Sequence, residues 1–466
     1  MLFKNKKEQI TTLRQLLTRE PSNAKALAVA LGISQPTFSR LWPMAGDDVL
    51  AIGAARATVY GLARSIRDVG PSLPIFRINA HGEPLEFAQL TILSGHWYAY
   101  QFAGSNSVFT CEGLPYFLQD LRPQGFLGRL APRENKDLNL PADIVEWTDD
   151  DALYYLARRG EDNMGDLVIG NESYRRFFER KSGVDQNVND NVQHNVIAAS
   201  EREVRYPQLA ERALRGETVG SSAGGEQPKF TAAVAHDQTD DPLAVIVKFS
   251  PDIRTAGGRR WGDLLIAEHI ALATLRDNAI LAAASSILVA DNRIFLESVR
   301  FDRVGRFGRT PMVSLSGLLG ETGAADRTWS YVATLLANRK KLSQADLAAI
   351  QLLDVYGVLI GNTDRHPGNL SLSWTAEGLF ALRPVYDMLP MMYRPNSQGE
   401  VVQRSFNLSG LDRLDLRQLP KALGLAEQFW ASVCADTRIS DDFKRVARLH
   451  MAAMAIARPI KNADEA

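Results

Sequence analysis

The sequence predicts an α+β chain built from several folding units, and three observations carry that expectation. Its 466 residues exceed what one core organises, and at roughly 100–200 residues per domain they divide into two to four units. Apolar residues at helical spacing dominate the start of the chain, whereas β-formers cluster from Ile75 onward. Further on, a glycine-rich segment leads into two strand-like runs, which long apolar helices follow. With 45% hydrophobic and 23% charged residues the composition is that of a globular protein, which excludes fibrous, collagen-like and wholly disordered classes. Cys111 and Cys434 are too few and too far apart for a disulfide framework, so buried thiols in a reducing compartment are expected. The Lys-rich start, Met1 to Gln9, lacks the apolar core of a signal peptide. The run Ala279 to Ala290 falls short of the roughly 20 residues needed to span a bilayer. A cytoplasmic protein with no membrane partner is the expectation.

Charge is unevenly spread. Residues 1–70 hold ten Lys or Arg against five Asp or Glu, while the whole chain carries a net charge of -1. A basic head on an acidic body points to a polyanionic partner for the head. In it, Ile10, Leu13, Leu16 and Leu17 follow helical spacing, and Ala26, Leu27, Ala30 and Leu31 do so after the break at Glu20-Pro21-Ser22. Gly32-Ile33 makes a tight turn, Ser34 caps, and Gln35 to Trp42 forms a third helix with Phe38, Leu41 and Trp42 inward. Its outer face shows Gln35, Thr37, Ser39 and Arg40, which carry the donors and acceptors that read base edges and phosphates in a major groove. Val49 to Tyr60, with Gly53 near its middle and Arg56 beside it, supplies the strands of a wing. The pattern from Ala28 to Arg40 resembles the helix-turn-helix of bacterial winged-helix regulators. A helical protein-interaction module is the competing reading.

Pro71-Ser-Leu-Pro74 reads as a linker. Beyond it, Ile75 to Ile78 and Trp97 to Phe102 read as strands with a turn at His81-Gly82-Glu83-Pro84, opening a small β-rich subdomain that extends to about residue 130. Leu153 to Arg159 and Tyr174 to Arg180 read as helices packed beneath it, and the polar, Asn-rich Lys181 to Asn195 as a connector.

Phosphate chemistry begins at Gly220-Ser-Ser-Ala-Gly-Gly-Glu-Gln-Pro-Lys229, followed by Phe230 to Val234 and Ala244 to Phe249 as a β-hairpin. Glycines let the backbone approach an anion, exposed amides cradle phosphate oxygens, and Lys248 on the return strand neutralises them. A plain hairpin turn would look the same, and neither a Walker loop nor Gly-x-Gly-x-x-Gly is present. The apolar helix Gly262 to Arg276 carries Glu268, a carboxylate able to hold the Lys248 ammonium as in kinases; a solvated glutamate is the alternative. After the apolar helix Leu352 to Ile360 comes Asp364-Arg-His-Pro-Gly-Asn369, and then Tyr386-Asp387. Asp-x4-Asn followed by Asp is the order used in phosphoryl transfer: Asp364 to accept the substrate hydroxyl proton, Asn369 and Asp387 to hold Mg²⁺ against ATP phosphates. An Asp/Asn/Gly-rich turn is the competing reading of the first segment.

Ser222-Ala-Gly-Gly-Glu-Gln-Pro-Lys229, Val247-Lys-Phe-Ser, Glu297-Ser-Val-Arg-Phe-Asp-Arg303, Asp364 to Asn369 and Tyr386-Asp387 resemble, in order, the motifs of the HipA family of bacterial serine/threonine kinases. The resemblance implies a two-lobed protein-kinase-like fold behind the small β-rich N-terminal subdomain, here with an added winged helix-turn-helix head. The divisions expected are 1–70 for the head, 71–195 for the β-rich subdomain, 196–300 for the nucleotide-binding lobe and 301–466 for a mostly helical lobe. By the same resemblance, Lys248 binds nucleotide phosphates with Ser222, Ala223, Gly224, Gly225 and Lys229 of the loop, and Glu268 and Glu297 complete the cofactor site. Asp364, Asn369 and Asp387 are the catalytic set, the latter two as metal ligands. Ser222 falls where family members autophosphorylate and eject the loop. Several members are toxins of toxin-antitoxin modules that phosphorylate aminoacyl-tRNA synthetases. The chain departs from the family at Glu226, where a small residue is usual, and in carrying its own helix-turn-helix. A carboxylate there weakens nucleotide binding unless Lys229 offsets it.

The expectation is therefore an ATP- and Mg-dependent serine/threonine protein kinase with a DNA-binding head, acting on a protein substrate and on itself, with a homodimer left open. The alternatives are a transcriptional regulator whose kinase-like module only senses a nucleotide, and a small-molecule or lipid kinase. The lack of a membrane-targeting segment speaks against the lipid version.

Overall fold

The computed structural model describes residues 6–183, 196–216, 227–236, 239–319, 327–375, 377–406 and 408–457. The chain divides into two compact units, one of Met1–Pro123 with Asn135–Asn187, the other of Gln124–Glu134 with Val188–Ala466.

The first unit opens with α1 (Lys6–Arg19), β1 (Ser22–Asn23), α2 (Ala24–Ala30) and α3 (Gln35–Leu41), followed by the hairpin β2 (Val49–Ile52) and β3 (Val59–Leu62). The caps are sequence-encoded: Asn23 accepts the Ala26 N–H and Ser34 the Thr37 N–H, each satisfying an amide that the helix itself leaves unbonded. Gly32 turns the chain at φ +64°, where a Cβ would be strained. Leu13, Leu17, Leu27, Leu31, Phe38 and Leu41 close the core, with Phe38 edge-on to Tyr60 of β3 at 4.9 Å between ring centroids. This is a winged helix-turn-helix, with β1 pairing to β3 as a third strand.

No linker follows it. The prolines of Pro71 to Pro74 suggest a break, yet Ser72–Ile78 is strand β4, and Pro74 sits opposite Gln89 of β5 (Pro84–Ile92). Proline is tolerated because pairing of β4 with β8 (Leu167–Ile169) starts only at Ile75, so Pro74 need not donate to it. With β6 (Trp97–Phe102) and β7 (Phe109–Glu112) these strands form an antiparallel sheet in the order β7-β6-β5-β4-β8. The head continues into this sheet. Ala63 bridges Leu93, Ser94 N–H donates to Leu62 O at 2.8 Å, and Arg64 N–H donates to Ile92 O at 3.1 Å. The Arg64 guanidinium then grips Asp150 at 2.5 and 2.8 Å, and a Cβ on Gly95 would stand 2.7 Å from Arg19 O. The short α4 (Tyr116–Gln119) follows β7; α7 (Asp149–Arg159) and α8 (Asn171–Ser182) pack with the sheet as expected. Between them in sequence, α5 (Gly125–Gly128) and α6 (Ala131–Glu134) belong to the second unit.

In the second unit, α9 (Arg202–Leu214) precedes the hairpin β9 (Lys229–His236) and β10 (Thr239–Phe249), then α10 (Ala256–Asp277), β11 (Ser285–Ala290) and β12 (Arg293–Val299). The antiparallel sheet runs β11-β12-β10-β9. Alternation puts Val245, Val247 and Phe249 on one face, against Tyr206 and Leu209 of α9. On the other face lies α10, where Gly262 allows a close approach: a Cβ would meet Ile294 Cγ1 at 2.9 Å. The small strands β13 (Arg303–Val304), β14 (Gly308–Arg309) and β15 (Val313–Ser314) lead into α11 (Leu315–Leu319), α12 (Trp329–Asn338) and α13 (Gln344–Leu359). A hairpin of β16 (Ser371–Trp374) and β17 (Phe380–Leu382) precedes α14 (Leu419–Ala435) and α15 (Asp441–Ala457). Fully buried Trp329, Tyr356, Phe429, Trp430 and Phe443 centre this helical part, the two phenylalanines each contributing roughly 1.5–3 kcal/mol by burial. Among the described residues no helix is long and apolar enough to cross a membrane.

Candidate active site

Strand pairing places Lys248 of β10 directly opposite Lys229 of β9, so both side chains leave the sheet on its α10 face. Both are buried, an arrangement that requires counter-charge. Glu268, in the middle of α10 and only 1% exposed, supplies it: Lys248 Nζ donates to the two carboxylate oxygens at 2.7 and 2.8 Å. A third bond reaches Oδ1 of Asp387 at 2.5 Å. Burial alone would push the Lys248 ammonium down, but the Asp387 and Glu268 carboxylates outweigh it and hold it above its ordinary value. Glu268 is raised by its burial, against the pull of Lys248. Burial opposes ionisation of Asp387 too, yet Lys248 and Lys229 keep it below the usual carboxylate range. Lys229 is pushed down to about 8 by burial, with Lys248 adding to the fall and Asp387 and Glu268 resisting it.

Asp387 itself stands in the left-handed region at φ +54°, a conformation that Asp and Asn adopt more readily than other residues with a Cβ. Its loop is stitched to the one that follows α13. Buried Asn362 accepts the Asp364 N–H at 2.9 Å through Oδ1 and donates through Nδ2 to Asp387 O at 3.2 Å. Asn369 Nδ2 donates to Asp364 O at 2.8 Å, which directs its amide oxygen away from that carbonyl. Arg365 braces the turn from behind, donating to Asn362 O and, at 3.3 Å, to Asp354 of α13. Asp354 also accepts the Ser330 N–H and hydroxyl at 3.0 and 2.9 Å, and Trp329 Nε1 donates to His366 O at 2.8 Å. Tyr386 OH bonds Ser371 Oγ at 2.8 Å and donates to Gly368 O at 3.2 Å.

Thus Lys248, Lys229, Glu268 and Asp387 converge, and Asn362 links Asp387 to the turn bearing Asp364 and Asn369. Glu297 behaves differently. It pairs with Val247, so its side chain leaves the opposite face, where Tyr206 OH and, at 3.2 Å, Arg202 donate to it. Ser222, Ala223, Gly224, Gly225 and Glu226 lie outside the described residues. In the head, Gln35, Thr37, Ser39 and Arg40 are exposed, although Ser39 Oγ donates to Gln35 O at 3.1 Å and Thr37 Oγ1 lies 2.8 Å from Ser34 Oγ. Asn362, Arg365, Asp354 and Trp329 were not singled out by sequence. Asn362 and Arg365 flank Asp364 and could have been found there, whereas Asp354 and Trp329 sit in apolar helices without any local signal.

Asp387 and Asn369 carry oxygen donors of the type a hard cation takes. Among the described residues no three His, Cys, Asp or Glu come together as a cage. One carboxylate and one amide oxygen, from Asp387 and Asn369, is the sparse oxygen set that Mg²⁺ accepts when phosphates and water complete its shell.

Comparison with known proteins bears on the family and the fold. The family model for the HipA-like C-terminal domain matches residues 221–452. A chain from the toxin-antitoxin complex of HipA, HipB and operator DNA of Shewanella oneidensis MR-1 aligns at TM-score 0.50 and 15% identity, covering 83% of this chain and 96% of that one. Helicobacter pylori proinflammatory kinase CtkA aligns over 48% of this chain and 88% of its own at 12% identity and a TM-score of 0.33, too low to inform the fold. The fold is the two-lobed, kinase-like fold of HipA with its small β-rich N-terminal subdomain, to which a winged helix-turn-helix head is added. The family model for the YjjJ-like toxin middle domain matches residues 69–178. Toxin YjjJ of Escherichia coli (strain K12) is 39% identical over 449 residues, 94% of this chain and 96% of its own. The chain belongs to the HipA-like toxins of YjjJ type.

Proposed function

We propose that this protein is an ATP- and Mg-dependent serine/threonine kinase that phosphorylates a protein substrate in the cytoplasm, and that its head binds DNA. The observation that carries the reading is the Lys248 ammonium, buried and shared between Glu268 and Asp387, which are far apart in sequence. Buried charge of this kind is retained where a ligand needs it. Lys248 and Lys229 would neutralise the nucleotide phosphates, with Glu268 holding Lys248 in line. Asp387 and Asn369 would hold Mg²⁺, which supplies charge neutralisation on the β- and γ-phosphates when bound. Asp364 would take the proton of the substrate hydroxyl as that oxygen bonds the γ-phosphorus and the bond to ADP breaks. Positioning and electrostatics carry most of such a reaction. Ser222 is the proposed autophosphorylation site, and Glu226 a loop charge that weakens nucleotide binding unless Lys229 offsets it.

Labelled ATP with Mg²⁺ should place phosphate on Ser222 or on a protein in a cell extract, and Asp364→Ala should abolish it. Tight nucleotide binding with no transfer would instead support a nucleotide-sensing regulator. For the head, Arg40→Ala should weaken DNA binding and leave phosphate transfer unchanged. Binding by the wild-type chain should fall with salt at a log–log slope of about -0.9 per phosphate contacted.

A further inference from the structure

The helix that presents Glu268 is fastened to the C-terminal lobe along its length. Asp263, 1% exposed, accepts the Ser440 N–H at 2.8 Å and the Ser440 hydroxyl at 2.5 Å, just ahead of α15. Beside it, buried Arg260 donates to Asp442 Oδ2 at 2.6 Å and to Tyr393 O at 3.3 Å, with its guanidinium 5.3 Å from the centroid of Phe443. Arg259 donates to Arg438 O at 2.5 Å, and at the far end Asn278 Nδ2 donates to Gln428 Oε1 at 2.8 Å. Toward the sheet, α10 offers His269, whose Nδ1 lies 3.0 Å from Ser285 Oγ, and the Glu268 carboxylate on Lys248. Arg259 Nε lies 3.7 Å from Asp263 Oδ1, but the Ser440 N–H and hydroxyl are the hydrogen bonds that join this buried carboxylate to the C-terminal lobe, and losing them leaves it poorly satisfied.

We propose that Asp263 is a positioning residue: it clamps α10 to the start of α15 so that Glu268 stands fixed under Lys248. The function of the clamp rests on the kinase reading above. Glu268 lies five residues beyond Asp263, about 7.5 Å along the helix axis, so the clamp acts close to the ion pair it serves.

Two measurements on the full chain test it. The first is amide hydrogen exchange without nucleotide. Asp263→Ala should speed exchange in α10 by about tenfold while β10 and β12 keep their protection. Asp263→Asn, which retains an acceptor for the Ser440 N–H, should stay near wild type; Ser440→Ala should give a smaller change of the same pattern and decides the matter if Asp263→Ala does not fold. The second is affinity for a fluorescent ATP analogue with Mg²⁺. Asp263→Ala should weaken it by about tenfold, and Asp263→Ala combined with Glu268→Gln should be no weaker than Glu268→Gln alone, because one residue acts through the other. Additive losses, unchanged exchange in α10, or an equal rise in helix and sheet would overturn the clamp. Failure of the wild-type chain to bind the analogue would refute the kinase reading, and the exchange pattern alone would then decide whether the clamp exists.

Discussion

Replacing Lys229 by Met should make the folded chain more stable near neutral pH while weakening its hold on nucleotide. Lys229 stands opposite Lys248, 3% exposed, and its burial dominates the fall of its ammonium from 10.5 to about 8. At about 1.4 kcal/mol per pH unit, that fall means the folded state disfavours the charged form by roughly 3 kcal/mol. Methionine keeps most of the apolar stem, and some attraction to Asp387 and Glu268 is lost with the charge, so a gain of about 1–3 kcal/mol at pH 7 is expected. The sign with pH follows from linkage. A lysine depressed on folding contributes stability that is present above its unfolded value of 10.5 and lost as pH falls through about 8. The advantage of Lys229→Met should therefore be largest below pH 8 and shrink toward pH 10.5. Urea unfolding of both chains by tryptophan fluorescence at matched pH isolates the difference, because titrating groups remote from Lys229 cancel. A variant less stable than wild type at pH 7, or a difference that stays flat between pH 7 and 10, would refute the reasoning. Weaker binding of Mg-ATP by the same variant would show that the second cation is kept for its ligand.

Three further outcomes are expected. Asp387→Asn retains a residue suited to φ +54° and should lower phosphate transfer by at least about 100-fold with little change in the melting temperature; undiminished transfer counts against the metal role. Gly357→Ala would put a Cβ 2.2 Å from Arg365 Cδ, displacing the side chain that braces the Asp364 turn, and should destabilise by about 1–3 kcal/mol in a thermal melt while reducing transfer; a wild-type melt contradicts this. Arg64→Ala leaves Asp150 with the Tyr98 hydroxyl and should speed limited proteolysis between the head and the sheet, after a loss of about 1–3 kcal/mol; unchanged cleavage kinetics would mean that the joint does not depend on Arg64.

What could be read in advance follows from how local each signal is. The helices of the head announce themselves by period and caps, and the residue types of the Lys248–Glu268–Asp387 cluster are written in the sequence in the right order. Their meeting is a tertiary fact. The pairing of Lys248 with Lys229 depends on hairpin register, and the same register sends the Glu297 side chain to the α9 face. The left-handed backbone of Asp387 has no sequence mark beyond tolerance for Asp. Pro71 and Pro74 misled because their strand partners, around Gln89 and Ile92, lie in another run of the chain. Asp263 and Arg260 look like ordinary helix charges until Ser440 and Asp442, nearly two hundred positions away, arrive beside them.

The seam between head and sheet also constrains how the head can be exchanged. A graft made at residue 70 would cut Ala63 and Arg64 from Leu93, Ile92 and Asp150, stranding backbone donors and an acidic side chain on the recipient. Swapping whole heads between relatives is therefore structurally disruptive, whereas exchanging single side chains on the outer face of α3 disturbs nothing beneath it. Under the DNA-binding reading proposed above, new specificities are expected to arise one substitution at a time at Gln35, Thr37, Ser39 and Arg40.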